Sequence, residues 1–422
     1  MTSRIRLAIV VSHPIQHFVP FYRALAGRAE VNLRVFFASK IGLQEYVDRE
    51  MNTAIAWKMD LLGGYDHVFL PEADNIREPR PLDINNPSIS RELARFDPDV
   101  VLLYGYNQPT QLRALWWCRR NGVPAMMTGD SELRRRRPLL RRVLKRCALP
   151  LLLRQYTCFL TTGDNNEEYY RHYGVAHDRL FRCPLTIDEE AYAAARNERT
   201  EIRSAFRQAH GLHPDDFVVL LVGKLSQRKR PRDLVEAAQL LQTMVAPSSR
   251  SLRFLVAGNG PLLQYLKAMV VACDLPVRFL GFINLDVLPR TYCAADVLVH
   301  PSESDPHPLV LSEASFLGLP LIVSDRVGAI GAADIAQPGE NALVYSCGDI
   351  EALAGAIRRL AEEPETRARM AAASLRISED HDGRKSVEGA LAAARYCLDT
   401  TRRTRLASRT APDGVSASRR QG

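Results

Sequence analysis

The chain has 422 residues, which exceeds the size of one typical hydrophobic core, so two domains are expected. Its formal net charge of +8 favours anionic partners such as phosphates, acidic glycans or membrane headgroups. The eight cysteines form no C-x-x-C pair, which argues against a zinc site and predicts a reducing compartment. With no signal-peptide pattern and no uncharged apolar stretch of membrane-spanning length, a cytoplasmic location is expected, with contact to the inner face of a membrane as an extension.

The first apolar run, residues 5–11, is typical of a strand in a parallel sheet covered on both faces. A nicotinamide-binding Rossmann unit needs G-x-G-x-x-G after this strand, but the first glycine is Gly27. A simple dehydrogenase is therefore excluded. The following loop contains His13 and His17, which either cap a helix at the surface or line a site at the strand end.

Strand and helix patterns alternate through the rest of the first half and predict a doubly wound parallel sheet. The predicted strands are 32–37, 99–104, 124–128 and 158–162, and the predicted helices are 88–96 and 109–120. The strand ending at Thr128 is followed by Asp130 and Glu132. These carboxylates are candidates for acceptor binding or for a general base, and a plain helix N-cap at Asp130 is the alternative.

Residues 133–146 contain eight arginines and lysines and no acid, while apolar residues recur at helical spacing through residue 148. The pattern predicts an amphipathic helix. Either the helix packs its apolar face on the sheet and solvates its basic face, or it docks on anionic lipid headgroups or an anionic acceptor.

In the second half, the predicted strand 296–300 leads into a polar turn, a helix over 308–317 and a strand over 320–324. The turn lies at the carboxyl end of its strand, where open parallel sheets bind ligands, and it enters a helix N-terminus that favours phosphate. Asp305 and Glu313 flank the helix start. Together these features indicate a site for a phosphorylated polyol.

This stretch resembles the Glu-(seven residues)-Glu segment of the retaining glycosyltransferases of family 4, which usually read Pro-Ser-x-x-Glu-Gly-Phe-Gly-Leu-Val-x-x-Glu-Ala. The positions that match in register are Pro301, Ser302, Leu309, Val310, Glu313, Ala314, Gly318 and Pro320. Two positions depart from the pattern, because Asp305 stands for the first Glu and Pro308 stands for a Gly.

Three earlier segments resemble the same family. Gly223, Lys224 and Lys229, after the predicted strand 217–222, are similar to its Gly-Arg-Leu-x-x-x-Lys-Gly segment. Residues 258–261, after the predicted strand 252–257, resemble its Gly-x-Gly-Pro turn, although glycines there could serve the backbone alone. Residues 277–283 resemble the strand and loop that cradle the nucleobase.

The resemblance implies a GT-B fold, an α/β architecture of two Rossmann-like doubly wound parallel-sheet domains facing across a cleft. It implies an acceptor-binding domain over residues 1–190 and a domain for the nucleotide-sugar donor over 191–378. It also implies a helix over 379–400 that crosses back to the first domain. Residues 401–422 lack apolar periodicity and are predicted to form a disordered basic tail.

The implied reaction transfers a sugar from a nucleotide-diphosphate-sugar to an acceptor hydroxyl with retention, without a metal and with no cofactor besides the donor. Positioned cations stabilise the charge of the leaving diphosphate, Glu313 binds the ribose, and Asp305 lies near the sugar. The diphosphate is held by Lys224, Lys229 and the amides of Leu309 and Val310. The remaining donor-side positions are Gly223, Gly258, Gly260, Phe282 and Ile283, and the acceptor-side candidates are His13, His17 and Asp130.

Three alternatives stay open. One is another enzyme of the same fold, an inverting transferase or an epimerase, which needs a dedicated base such as Asp130 or His17. The second is a non-catalytic module of this fold that binds a nucleotide or docks a partner. The third, nucleic-acid binding through the arginines of 134–146, lacks an aromatic platform or motif and is disfavoured. The nucleobase, sugar and acceptor are not readable from the sequence.

Overall fold

The computed structural model describes residues 4–48, 50–51, 53–55, 57–78, 80–134, 139–244 and 251–410. Strands and helices alternate along the chain, as the sequence predicts. The strands are β1 Ile5–Val11, β2 Val31–Phe37, β3 Tyr46–Asp48, β4 Thr53–Ile55, β5 His67–Phe69, β6 Val100–Tyr104, β7 Ala125–Thr128, β8 Cys158–Thr161, β9 Leu180–Arg182, β10 Phe217–Val222, β11 Leu252–Ala257, β12 Val277–Gly281, β13 Val297–His300, β14 Leu321–Ser324 and β15 Ala342–Tyr345. The helices are α1 Val19–Ala26, α2 Ile89–Phe96, α3 Pro109–Asn121, α4 Leu139–Leu153, α5 Asp164–His172, α6 Glu189–Asn197, α7 Arg199–Ala209, α8 Pro231–Met244, α9 Leu263–Ala272, α10 Leu288–Ala294, α11 Leu309–Phe316, α12 Ile350–Glu362, α13 Pro364–Glu379 and α14 Gly383–Thr410.

Two parallel sheets organise these elements. The first has the order β5-β2-β1-β6-β7-β8-β9 and the second the order β12-β11-β10-β13-β14-β15. Each sheet has an apolar cluster on both faces, which is why strands such as β1 and β10 are continuous apolar runs. The strand order reverses between β1 and β6 and again between β10 and β13, and ligands of open α/β sheets bind at such switch points.

The last helix, α14, packs against the first sheet, although it follows the second in the chain. Its buried residues Val387, Leu391, Ala394 and Cys397 recur at helical spacing and join the core beside β1 and β8. The helix continues to Thr410, so the disordered tail predicted from residue 401 starts too early. Extending an existing helix costs far less than nucleating one, and 401–410 is rich in residues with good helix propensity. Residues 411–422 lie outside the described residues.

Helix α4 forms within the predicted amphipathic segment. The face that it buries differs from the apolar face that the sequence predicts. Leu149 and Leu153 are buried against the first domain. Val143, Leu144 and Leu151 are 54%, 67% and 60% exposed. The interpretation that the apolar face packs on the sheet is therefore wrong over the described side chains. Residues 135–138 lie outside the description, and among the described helices none is long and apolar enough to cross a membrane.

Candidate active site

The candidate site lies at the switch point of the second sheet, where two loops meet. The loop after β10 and the loop after β13 are joined through Arg228, whose carbonyl accepts hydrogen bonds from Glu303 N (2.9 Å) and Ser302 Oγ (3.2 Å). The Arg228 guanidinium in turn donates to the Ser304 carbonyl at 2.6 Å. The fold thus brings together two sequence segments that lie more than seventy residues apart.

Lys229 and Asp305 form an ion pair at the centre of this junction. The same Asp305 oxygen, Oδ2, lies 3.0 Å from His300 Nε2 at the end of β13. Burial alone would raise the pKa of Asp305, but the hydrogen bond from His300 and the charge of Lys229 outweigh burial and hold it well below its usual range. Asp305 is therefore an ionised carboxylate that positions Lys229, a contact that the sequence did not indicate.

Glu313 lies on α11 and is buried, with Tyr292 of α10 donating a hydrogen bond to its Oε2. Burial raises the pKa of Glu313 to about 7, against the effect of that hydrogen bond. Pro308 is the N-cap of α11 and offers no N–H, so the amides that follow, Leu309 and Val310, stand at the positive end of the helix.

The glycines at the end of β11 have a backbone explanation. A Cβ on Gly258 would lie 1.8 Å from the carbonyl oxygen of Gly223, and one on Gly260 would lie 2.6 Å from that of Leu225. Both residues have positive φ, at 151° and 158°. The close approach of the loops after β10 and β11 thus requires glycine at these two positions, whether or not these glycines also contact a ligand.

The second predicted cation, Lys224, contacts acids that sequence reasoning did not single out. Its Nζ lies 2.9 Å from Asp48 Oδ2 and 3.2 Å from Glu50 Oε2. Glu50 also accepts hydrogen bonds at 2.9 Å from Ser226 Oγ and from Arg228 Nη2. Asp48 ends β3 and Glu50 lies between β3 and β4, two antiparallel strands of the first domain, so these ion pairs cross the interdomain cleft.

The loop predicted to cradle the nucleobase is also in contact with the first domain. The Phe282 ring lies 6.3 Å from that of Trp57 in an edge-on arrangement. Ile283 packs partly buried against the core of the second domain. Close by, Lys58 pairs with Asp286 at 3.6 Å. The predicted donor side is thus bounded by residues from both halves of the chain.

On the first domain, His17 and Asp130 line one cavity of about 360 Å³ at the carboxyl ends of the strands. Its other walls are mainly apolar and include Phe18 and Leu185. His13 lies instead beside Ser12, with 2.8 Å between Oγ and Nδ1. Burial lowers the pKa of both histidines to about 4, so both rings are neutral at pH 7.

The two domains meet again where the loop after β14 reaches the first domain. Asn165 Nδ2 donates to the carbonyls of Gly328 (2.7 Å) and Ile330 (2.9 Å). Asp334 accepts a bond from Asp164 N at 2.9 Å, and burial raises the pKa of Asp334 to about 7. In the part of the chain that the structure describes, no three His, Cys, Asp or Glu side chains are grouped as metal ligands would be.

Sequence comparison relates part of the chain to known enzymes. Residues 202–376 match the family model described as Glycosyl transferases group 1. A D-inositol 3-phosphate glycosyltransferase of Rhodococcus opacus is 30% identical over 240 residues, covering 54% of this chain and 51% of the relative. An alpha-D-kanosaminyltransferase of Streptomyces kanamyceticus is 29% identical over 214 residues, covering 50% and 53%. The chain thus spans about half the length of these curated relatives.

Structure comparison extends over nearly the whole chain. HepE of Anabaena in complex with UDP superposes with a TM-score of 0.65 at 16% identity, covering 96% of this chain and all of that one. WaaG, a glycosyltransferase involved in lipopolysaccharide biosynthesis, gives a TM-score of 0.60 at 16% identity, covering 91% and 98%. The predicted GT-B fold is confirmed, and within it the second domain carries the sequence pattern of the group 1 glycosyl transferases.

Proposed function

We propose that this protein is a retaining glycosyltransferase of the family 4 type, which moves a sugar from a nucleotide-diphosphate-sugar to an acceptor hydroxyl without a metal. The observation that carries the proposal is the convergence of Lys224, Arg228 and Lys229 with the N-terminus of α11 at the switch point of the second sheet. Positioned cations and helix amides suit a diphosphate whose negative charge grows as the glycosidic bond breaks.

In this mechanism each part of the site has a separate task. Lys229, held by Asp305, and Lys224 stabilise the leaving diphosphate, and the amides of Leu309 and Val310 add hydrogen bonds. Glu313 accepts hydrogen bonds from the ribose hydroxyls. Because Asp305 is tied to Lys229 and His300, it acts as a positioning residue, and its approach to the sugar would need the loop to move.

Inversion would need a dedicated base. Of the two candidates, His17 has its pKa lowered to about 4 by burial and is a weak proton acceptor, while Asp130 lines the same cavity and is the base that inversion would use. In the retaining route, the bond from the anomeric carbon to the diphosphate breaks and the bond to the acceptor oxygen forms on the same face. The acceptor proton passes to the leaving phosphate.

The proposal is tested first by thermal shift against nucleoside diphosphates and their sugars, beginning with UDP and UDP-glucose because HepE was solved with both. A ligand present at a hundredfold its Kd stabilises a protein by about 2.7 kcal/mol. The melting temperature should therefore rise by several degrees with the nucleoside diphosphate that carries the preferred nucleobase. Product analysis with the selected donor should show the anomeric configuration retained. Inverted product would contradict retention, binding without turnover would favour the non-catalytic module, and no shift with any diphosphate would refute the proposal.

A second partner is proposed from helix α4, namely an anionic membrane surface. Val143, Leu144 and Leu151 form an exposed apolar face, and residues 133–163 contain no acid but many arginines. Apolar side chains that enter the headgroup region beside basic residues are typical of interfacial helices.

Co-sedimentation with vesicles tests this contact. The protein should pellet with vesicles rich in phosphatidylglycerol and much less with neutral phosphatidylcholine vesicles. Leu144→Asp with Leu151→Asp should weaken the binding by about tenfold or more. Val271→Asp, at an even more exposed apolar position on the second domain, is the control and should bind as the wild type does. Equal binding by the Leu144/Leu151 variant would contradict the assignment.

A further inference from the structure

A segment of the first domain, described at residues 46–48, 50–51, 53–55 and 57, reaches across the cleft to the cations of the candidate donor site. We name it the acidic strap. Asp48 and Glu50 contact Lys224 at 2.9 and 3.2 Å, and Glu50 accepts further bonds from Ser226 and Arg228 at 2.9 Å. At the strap's far end, Trp57 meets Phe282 edge-on. The strap therefore contacts both the cations and the loop assigned to the nucleobase.

The contacts of the two carboxylates are those that a diphosphate would make. A phosphate oxygen and a carboxylate oxygen are both anionic acceptors, and both accept short charge-assisted bonds from lysine and arginine. Asp48 and Glu50 together supply two negative charges to Lys224 and Arg228, the two cations that they share with the proposed donor. A diphosphate and the strap cannot hold these same donors at once in this geometry.

The acidic part of the strap lies outside the first sheet, while Met51 is buried and Trp57 packs partly buried against the first-domain core. The strap's strands β3 and β4 have three residues each, and among the residues that the structure describes they form a two-stranded sheet separate from the seven-stranded one. An isolated two-stranded hairpin is marginally stable in water. The pairs of Glu50 with Lys224 and Arg228 are partly exposed, with Glu50 at 34%, and such pairs contribute little each, whereas Asp48 beside Lys224 is more buried, at 14%. A tightly bound ligand can therefore displace the strap.

We propose that the acidic strap is a built-in mimic of the donor's diphosphate. When no donor is bound, Asp48 and Glu50 neutralise Lys224 and Arg228, and the incoming nucleotide-sugar takes their place and releases the strap. This inference rests on the proposed function, since it assumes that these cations bind a diphosphate. It assigns the two acids a competitive role, so that removing their charge improves donor binding.

The experiment compares nucleoside diphosphate binding to the full-length wild type, to Asp48→Asn with Glu50→Gln, and to Glu45→Gln. Isothermal titration with the diphosphate selected by thermal shift gives each Kd. The double variant should bind about three- to tenfold more tightly, since the ligand no longer competes with the three ion pairs that Asp48 and Glu50 make. Glu45, an exposed acid next to the strap, is the matched control, and Glu45→Gln should leave the Kd unchanged.

Hydrogen exchange gives a second readout. Adding the diphosphate to the wild type should speed amide exchange in peptides covering residues 44–58 while it slows exchange at the loop after β10. An unchanged or weaker Kd in the double variant, or slower exchange in the strap with ligand, overturns the strap proposal while leaving the proposed function in place. If no diphosphate binds to any of the three proteins, both proposals fail.

Discussion

Replacing Lys229 with methionine is expected to reduce sugar transfer by about 10²- to 10³-fold, because removing one pre-positioned charge-stabilising group at a reaction centre costs that much. The same change should destabilise the fold by on the order of 3 kcal/mol. Lys229 is the ion-pair partner of Asp305, which is buried and ionised and would keep only His300 as a hydrogen-bond partner. Initial rates with the selected donor and urea unfolding measure the two effects.

The double variant Lys229→Met with Asp305→Asn separates the two losses. Without the carboxylate no buried charge is left unpaired, so most of the stability should return, while the missing cation keeps transfer slow. Recovery of both stability and activity in the double variant would show that Lys229 is structural and would contradict its role on the diphosphate. Arg232→Met, which removes an exposed cation on the nearby helix α8, is a control and should change neither quantity.

Long apolar strands were the most predictable part of the fold. The bounds predicted for β1, β10 and β11 agree with the structure to the residue. Each is a run of apolar residues that ends in a polar or glycine-rich turn, so the burial of both faces and the end of the strand are both visible in the sequence. Parallel strands then bring their carboxyl ends to one edge, which is why the loops after β10 and β13 could be expected to meet.

The contacts across the cleft could not be predicted in the same way. Asp48 lies 176 residues before Lys224 and Glu50 lies 176 residues before Ser226, and the strands β3, which ends at Asp48, and β4 have only three residues each. Such strands are too short for a periodic pattern. An acid in a mixed-charge stretch is usually a solvated residue, so only the three-dimensional arrangement identifies these two as partners of Lys224.

The side-chain contacts of residues within the matched motifs could not be predicted from the sequence either. The resemblance indicated that Asp305 would lie near the sugar, but His300 and Lys229 determine where its carboxylate points. Similarly, helical spacing marked the apolar residues of α4, but spacing does not say which side of a helix meets the sheet. Leu149 and Leu153 complete the core, and Leu144 is left exposed.

Replacing Glu313 with glutamine is expected to stabilise the ligand-free protein at alkaline pH. Burial raises the pKa of Glu313 to about 7, above its value in the unfolded chain of about 4.3. The folded state therefore holds a proton that the unfolded state has lost, and stability falls as pH rises from about 4.5 through 7. At pH 8 the ionised wild type should be less stable than Glu313→Gln by up to about 3 kcal/mol, and the gap should nearly close at pH 4.5. Urea unfolding across this pH range measures the difference.

The same carboxyl should release a proton when the nucleotide binds. Ribose hydroxyls donate hydrogen bonds to the ionised form of Glu313 and so lower its pKa, and near pH 6 a largely protonated side chain must then ionise. Titration calorimetry in buffers of different ionisation enthalpy should detect close to one proton released by the wild type and none by Glu313→Gln, whose nucleotide affinity should also fall. Asp334, whose pKa is also raised to about 7 by burial, lies at the other domain contact. Asp334→Asn should therefore change the pH dependence of stability but leave the proton release intact, and loss of the release in that variant would contradict the assignment to Glu313.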